Sequence, residues 1–149
     1  MNVFIDCEFN GFGGDLVSMA LVAEDGREFY EVLNLEKDRD YAIWVFDHVV
    51  PHLHKDPISK DAFQAKLWAF INQYKEINLI ADWPDDIKYF CISLIVSPGV
   101  CINTPPKLTM EINRELSSKN SAILHNALED ARAIKQNWNE LYNEQPKMG

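Results

Sequence analysis

The sequence predicts an α/β fold in which a mixed sheet, made of a three-stranded antiparallel meander and parallel strands, is flanked by helices. Two observations support this prediction. Three short apolar segments at the start of the chain are separated by turn signals, which is the pattern of consecutive antiparallel strands. The rest of the chain alternates segments of helical periodicity with short apolar runs, as expected of helices that connect strands of one sheet.

The predicted meander occupies residues 3–8, 16–22 and 28–33. Asp25-Gly26, between the second and third strands, is a tight-turn signal of the kind that joins antiparallel neighbours. The first strand ends in Asp6-Cys7-Glu8, so two acids lie at its carboxyl end.

Two helices are predicted between residues 40 and 74. Residues 40–50 form the first, which is ended by Pro51, and Ser59 is the N-cap of the second. The second helix carries apolar side chains at helical spacing, namely Phe63, Leu67, Phe70, Ile71 and Tyr74.

Strands and helices alternate in the second half of the chain. Residues 78–81 and 100–102 are predicted strands, and the helix between them stops at residues 97–99, Ser-Pro-Gly. The apolar face of that helix consists of Ile87, Phe90, Cys91, Leu94 and Ile95. A terminal helix over residues 126–143 repeats apolar side chains about every 3.6 residues, namely Ala127, Ala131, Ile134, Trp138 and Leu141.

Composition predicts the class of protein. The 149 residues, of which 47% are hydrophobic, suffice for one core, and we expect residues 1–149 to form a single domain. The N-terminus shows no basic leader, and no apolar run approaches the roughly 20 residues that cross a bilayer, so we expect a cytoplasmic protein without a membrane partner. Cys7, Cys91 and Cys101 lie in apolar runs, and we expect them to be small buried side chains in a reducing compartment.

Asp6 and Glu8 form the first candidate metal site. Alternate residues of a strand point to the same face, so these carboxylates lie on one side, roughly 6 to 7 Å apart along the backbone. Carboxylates can hold two divalent cations about 3.5 to 4 Å apart, which is the general arrangement for phosphoryl transfer.

Further acids are expected to face inward from helices. Asp130 falls between Ala127 and Ile134 on the apolar stripe of the terminal helix, and an inward acid needs a partner or a metal. Asp86 is four residues before Phe90 and therefore also faces inward, whereas Asp85 is rotated roughly 140° away, toward water.

The acid at the end of the preceding strand has two interpretations. Asp82 either supports a metal ligand or caps the helix whose first turn contains Pro84. Asp86 is the ligand that we select from this segment, and Asp82 and Asp85 stay open as alternative ligands.

His125 lies just before the terminal helix, where Asn126 is the expected N-cap. A histidine held there can turn toward Asp130 and take a proton from an attacking water, because its ordinary pKa of about 6.5 suits that task near neutrality. A capping or surface role is the alternative.

The three motifs together resemble the DEDDh branch of the DnaQ-like 3′ to 5′ exonucleases, which have a ribonuclease H-like fold. The first motif is Asp6-Cys7-Glu8 at a strand end, the second is Asp86 opening a helix after a strand, and the third is His125 with Asp130 five residues later. The chain most resembles the small 3′ to 5′ exoribonucleases of that superfamily. It departs from the second motif, which usually carries an Asn and an aromatic residue where this chain has Asp82 and Asp85.

The resemblance implies a two-metal hydrolase that uses Mg²⁺ or Mn²⁺. In this expectation Asp6 bridges both ions, Glu8 and Asp130 complete the shell of one, and Asp86 binds or orients the second. His125 is the general base, and the 3′-terminal nucleotide leaves as a 5′-monophosphate.

The net charge of −9 argues against tight binding to long duplexes, because non-specific affinity comes mainly from basic side chains. Two divalent cations would leave a net charge of about −5 and make the site itself attractive to phosphate. The expected partner is therefore a single-stranded RNA or DNA 3′ end or a short oligonucleotide. The resemblance also implies that a second copy of the chain is an expected partner, in a homodimer.

Substrate contacts are expected near the first two motifs. Asn10, Gly11 and Phe12 follow the first motif, where a polar group or a stacking ring is useful, although Phe12 and Trp83 can equally fill the edge of the core. Four basic residues are candidates for contact with the backbone phosphates of the substrate: Lys107, Arg114, Lys119 and Arg132.

Three alternatives stay open. The enzyme can act on DNA, or the fold can have lost catalysis and serve as a module that binds nucleic-acid ends. A zinc cluster of His48, His52 and His54 is the least favoured hypothesis, because Pro51 interrupts the helix and no fourth ligand is evident.

Overall fold

The computed structural model describes residues 1–35 and 41–143. Its strands are β1 (Asn2–Phe9), β2 (Leu16–Ala23), β3 (Glu28–Leu33), β4 (Pro57–Ile58), β5 (Glu76–Ala81), β6 (Ile95–Ser97), β7 (Val100–Cys101) and β8 (Lys107–Ile112). Its α-helices are α1 (Ile43–His48), α2 (Lys60–Ile71), α3 (Pro84–Leu94) and α4 (Ala127–Tyr142), and a 3₁₀ turn spans Val50–His52.

The main sheet is mixed, as the sequence predicts. Its strand order within the described residues is β4-β3-β2-β1-β5-β8. The pairs β1–β2 and β2–β3 are antiparallel, whereas β3–β4, β1–β5 and β5–β8 are parallel. Helices flank this sheet, and the architecture is consistent with a ribonuclease H-like fold.

The pleat of β1 sends alternate residues to opposite faces of the sheet. Ile5 is buried in the core that contains Phe63 of α2 and Phe90 of α3, whereas Phe4 is buried with Ile134 of α4. Both faces of the sheet are therefore covered by helices. Full burial of such an apolar side chain stabilises the fold by about 1.5 to 3 kcal/mol. Asp6 shares the parity of Phe4 and therefore lies on the α4 face.

Both predicted helix caps are present. The Ser59 hydroxyl accepts a hydrogen bond from the Ala62 N–H at 3.2 Å and begins α2. The Asn126 side chain accepts one from the Glu129 N–H at 3.0 Å and begins α4. Each cap satisfies a backbone N–H that has no partner within its own helix.

The first helix is shorter than predicted. It begins after Ala42, whose backbone is extended, and ends at His48, while Pro51 lies in the following 3₁₀ turn. Pro51 has no backbone N–H, so it cannot donate the hydrogen bond to the carbonyl four residues earlier that would continue the α-helix through this position. Residue 40, the predicted start, lies outside the described residues.

The predicted last strand was placed wrongly. Val100–Cys101 is a strand, but it pairs with β6 in a separate hairpin, and Ile95, predicted to continue the apolar face of α3, lies in that hairpin and is exposed. The strand that completes the main sheet is β8, which the sequence analysis missed. Its side chains are mostly exposed, so it has no continuous apolar run.

Smaller corrections concern single side chains. Cys7 is buried, but Cys91 is half-buried and Cys101 is exposed. Tyr74 lies beyond the end of α2, and Leu141 on α4 is exposed. In the described part of the chain, no helix has the length and apolar character needed to span a membrane.

Candidate metal centre

Asp6 and Glu8 of β1 meet Asp130 from the first turn of α4. One carboxylate oxygen from each of the three residues lies within 4.8 Å of the others. The helix packs across β1 and β2, which carries Asp130 onto the face to which Asp6 and Glu8 point. Asp130 is 5% exposed, so its predicted inward position is confirmed.

A second group of acids shares Asp6 with the first. Oxygens of Asp6, Asp82 and Asp86 also lie within 4.8 Å of one another. Asp82 follows β5, which is parallel to β1, and Asp86 lies in the first turn of α3. The structure thus forms two adjacent carboxylate groups with Asp6 common to both.

The three acids of the second motif have different positions. Asp86 is 3% exposed and accepts a hydrogen bond from the Cys7 N–H at 3.0 Å, which ties α3 to β1. Asp85 belongs to neither carboxylate group of the described residues and accepts a hydrogen bond from the Trp83 indole at 2.8 Å. The N-cap of α3 is Trp83, so the interpretation of Asp82 as the cap was wrong.

Burial and mutual repulsion disfavour the charged forms of these acids. Burial, followed by the negative charges of Asp86, Glu8 and Asp130, raises the pKa of Asp6 well above its ordinary value. Burial and the Asp130 charge raise the pKa of Glu8 to about 9, and burial and the Asp82 charge raise the pKa of Asp86 to about 8. Without a bound cation, these pKa values favour the protonated, uncharged carboxyl groups near neutrality.

Two buried oxygens show what kind of group fits the cluster. Asp6 Oδ2 and Asp130 Oδ1 have no hydrogen-bond partner among the described residues. Buried carboxylate oxygens normally accept hydrogen bonds, so these oxygens have capacity for another ligand. An all-carboxylate donor set suits hard divalent cations such as Mg²⁺ and Mn²⁺.

His125 lies beside the first group and has a left-handed backbone, with φ of +68°. The backbone N–H of His125 donates a hydrogen bond to Asp130 Oδ2 at 3.2 Å. Its ring meets the Trp44 ring edge-on, with 5.0 Å between the ring centroids. The backbone thus links His125 to a metal-site acid, while α1 forms the wall against its imidazole.

The loop after β1 has a structural function, and its predicted contacts with substrate stay a prediction. Asn10 Oδ1 accepts a hydrogen bond from the Ala42 N–H at 2.7 Å, which fixes the start of α1. Gly11 has φ of +77°, a conformation that favours glycine. Phe12 is fully exposed, so it does not fill the edge of the core.

The four predicted phosphate-contact residues have different surroundings. Arg132 pairs with Glu28 and Glu129, and Lys107 pairs with Glu76. The Arg114 guanidinium lies over the exposed Trp83 ring, beside the second carboxylate group. Lys119 is exposed.

The histidines of the zinc hypothesis do not form a metal cluster in the described residues. His48 stacks on Trp44 with ring centroids 4.6 Å apart, and the rings of His52 and His54 are 6.5 Å apart. Neither candidate metal group contains any of them. The hypothesis was wrong for this part of the chain.

Sequence reasoning missed Trp44 and Ser18. Trp44 contacts His125 from a helix whose Ile43, Trp44 and Phe46 are all exposed, and this excess of outward apolar side chains was a usable signal. Ser18 is paired with Glu8 across the β1–β2 ladder and is fully buried. The pairing of Ser18 with Glu8 depends on the register between two strands, which the pattern within either strand does not give.

Comparison with known proteins adds two relatives, while no family model matches the chain. Both relatives are named 3′-5′ exoribonuclease and come from Mycobacterium tuberculosis, strains H37Rv and CDC 1551. Each is 33% identical to this chain over a match that covers 56% of the chain and 61% of the relative. The chain thus spans about three fifths of the length of the curated relatives it matches.

Proposed function

We propose that this protein is a metal-dependent 3′ to 5′ exoribonuclease of the DEDDh type, which releases nucleoside 5′-monophosphates from single-stranded or short RNA. The observation that carries the proposal is the position of Asp6, which belongs to two carboxylate groups at once. The names of the two relatives support the same reaction and the same substrate class.

The residues fit two divalent cations. Asp6, Glu8 and Asp130 would hold one, and Asp6, Asp82 and Asp86 would hold the other. When bound, such ions activate the attacking water and offset the negative charge that develops on the phosphate and the leaving oxygen. The unpartnered oxygens of Asp6 and Asp130 support this assignment.

His125 is the general base in this proposal. His125 lies just before α4, and its backbone N–H donates a hydrogen bond to Asp130. The base is therefore held beside one carboxylate group. It takes the proton of the attacking water, and its contact with Trp44 limits the orientations of the ring.

The preference for strand ends follows from charge. A chain of net charge −9 repels the phosphates of a long duplex. Binding of nucleic acid therefore depends on the metal site and its immediate surroundings. A short or single-stranded 3′ end needs no extended basic surface. RNA is proposed over DNA because of the names of the relatives.

The test uses single strands of RNA and DNA, each labelled at the 5′ end, with Mg²⁺ or Mn²⁺. The expected result is a ladder of RNA that shortens from the 3′ end, with slower loss of DNA. Asp6→Asn should abolish the ladder, whereas Asp85→Asn, an identical change at an acid outside both groups, should retain it. An intact RNA strand under both metals contradicts the proposal.

A further inference from the structure

Arg114 is brought to the second carboxylate group by the chain that follows β8. The Asn113 N–H donates a hydrogen bond to the Ala81 carbonyl at 2.8 Å, so the residue before Arg114 lies beside the residue before Asp82. The Asn113 side chain donates to the Tyr142 hydroxyl at 2.9 Å, and Leu116 is buried. This segment is therefore held from both sides.

The Arg114 side chain rests on a fixed aromatic ring. Its guanidinium carbon lies 4.3 Å from the centroid of the Trp83 ring. The indole N–H of Trp83 donates to Asp85 Oδ2 at 2.8 Å, which sets the orientation of the ring. Trp83 is 48% exposed and Arg114 is exposed, so the pair borders open solvent rather than filling the core.

The charge of Arg114 is not neutralised by an ion pair in the described residues. Arg132, by contrast, contacts Glu28 at 2.6 Å and Glu129 at 2.5 Å. Trp83, over which the Arg114 guanidinium lies, directly follows Asp82 of the second carboxylate group in the chain. The positively charged guanidinium of Arg114 thus lies at the edge of the second carboxylate group.

We propose that Trp83 and Arg114 form an anion subsite that binds a backbone phosphodiester of the bound strand. This inference rests on the proposed function. The indole covers one face of the guanidinium, while the N–H groups lie in its plane and can donate to two oxygens of one phosphate. A base is the poorer fit, because Arg114 already covers one of the two faces of the Trp83 ring.

The experiment measures binding rather than cleavage. A His125→Ala background keeps the strand intact, and a short 5′-fluorescent oligoribonucleotide reports binding by anisotropy at constant Mg²⁺ over a series of NaCl concentrations. Arg114→Ala should weaken binding about three- to tenfold and reduce the slope of log K against log salt by about 0.7, the value for one phosphate contact on a single strand.

Arg27→Ala is the matched control. Arg27 also lies over an aromatic ring, that of Tyr74, and its removal changes the net charge equally. It belongs to the turn between β2 and β3, beyond the amino-terminal end of β1 and thus opposite the acids. Its substitution should leave the salt slope unchanged.

Two more variants separate charge from geometry. Arg114→Lys should keep the salt slope but bind less tightly than the parent, because a lysine lacks the planar pair of donors. Trp83→Leu should weaken binding with the slope retained, because Arg114 loses its support. If Arg114→Ala matches the parent in affinity and slope, or differs no more than Arg27→Ala does, the subsite is refuted. If the parent binds no oligonucleotide at any salt concentration, the proposed function fails as well.

Discussion

The Cys7 N–H donates a hydrogen bond to the carboxylate of Asp86, and this single contact joins the strand of the first motif to the helix of the second. The two residues are 79 positions apart in sequence. Because Cys7 lies between Asp6 and Glu8, the bond places Asp86 against the strand segment that carries both acids. The carboxylate is thus oriented by backbone and does not depend on a flexible side-chain partner.

Asp6→Asn should stabilise the metal-free fold while abolishing cleavage. The change removes one ionisable carboxyl from a cluster in which burial and four neighbouring carboxylates already raise the pKa of Asp6. A gain of about 1 kcal/mol would raise Tm by about 2 to 4 °C in a chain of this size. Thermal unfolding in EDTA measures it, with Asp85→Asn as the control, and a lower Tm for Asp6→Asn would show that the carboxylate stabilises the fold.

Metal-free stability should fall as pH rises. The folded-state pKa is about 9 for Glu8 and about 8 for Asp86, whereas carboxyls in an unfolded chain titrate near about 4. Between these limits the folded chain binds more protons than the unfolded chain, so the free energy of unfolding decreases from about pH 4 to about pH 9.

Urea unfolding in EDTA at several pH values measures this dependence. Glu8→Gln should reduce it, since the substituted side chain does not ionise. Saturating Mg²⁺ should also reduce it, because bound cations favour the charged carboxylates. A stability curve that rises with pH in EDTA is the opposite of the expected result.

Calorimetry should find two cation sites that share one residue. Asp86→Asn should weaken one site, Asp130→Asn the other, and Asp6→Asn both, because Asp6 belongs to both groups. Mg²⁺ at about 100 times its dissociation constant should add about 2.7 kcal/mol to the free energy of unfolding for each site. Equal loss of both sites in Asp86→Asn and Asp130→Asn would indicate one coupled site instead of two.

Asn126→Ala should destabilise the fold more than Ser59→Ala. Loss of a helix N-cap costs about 0.5 to 2 kcal/mol, but Asn126 also donates a hydrogen bond to the His52 carbonyl at 2.8 Å. Asn126→Asp keeps the cap acceptor and loses that donor. The loss in Asn126→Asp relative to the parent therefore isolates the link from α4 to the 3₁₀ turn, and the difference between the two Asn126 variants gives the cap. Urea unfolding measures all three, and equal losses for Asn126→Ala and Ser59→Ala would show that the link adds nothing.

Local periodicity was sufficient for much of the site. The inward positions of Asp130 and Asp86 followed from the 3.6-residue repeat of their helices, and both residues are buried. The shared face of Asp6 and Glu8 followed from the two-residue repeat of a strand. The assignment of these residues as ligands stays a prediction, as do the homodimer and the cytoplasmic location.

Strand β8 shows where local patterns failed. The short apolar run at residues 100–102 predicts the last strand of the chain, but Lys107–Ile112 follows it and pairs with β5 in the main sheet. An edge strand is held mainly by its hydrogen bonds to one neighbour, and most side chains of β8 are exposed, so its burial pattern is weak.

By itself, the sequence determined the class of fold, the faces of the helices and the carboxylates that point inward, because these depend on spacing along a single element. Only the tertiary structure decided that Asp82 joins Asp6 and Asp86, and that Arg114 lies over Trp83, the residue after Asp82. Those relationships arise from the parallel pairing of β5 with β1 and β8. Such pairing brings together residues from distant parts of the chain, and no local period encodes it.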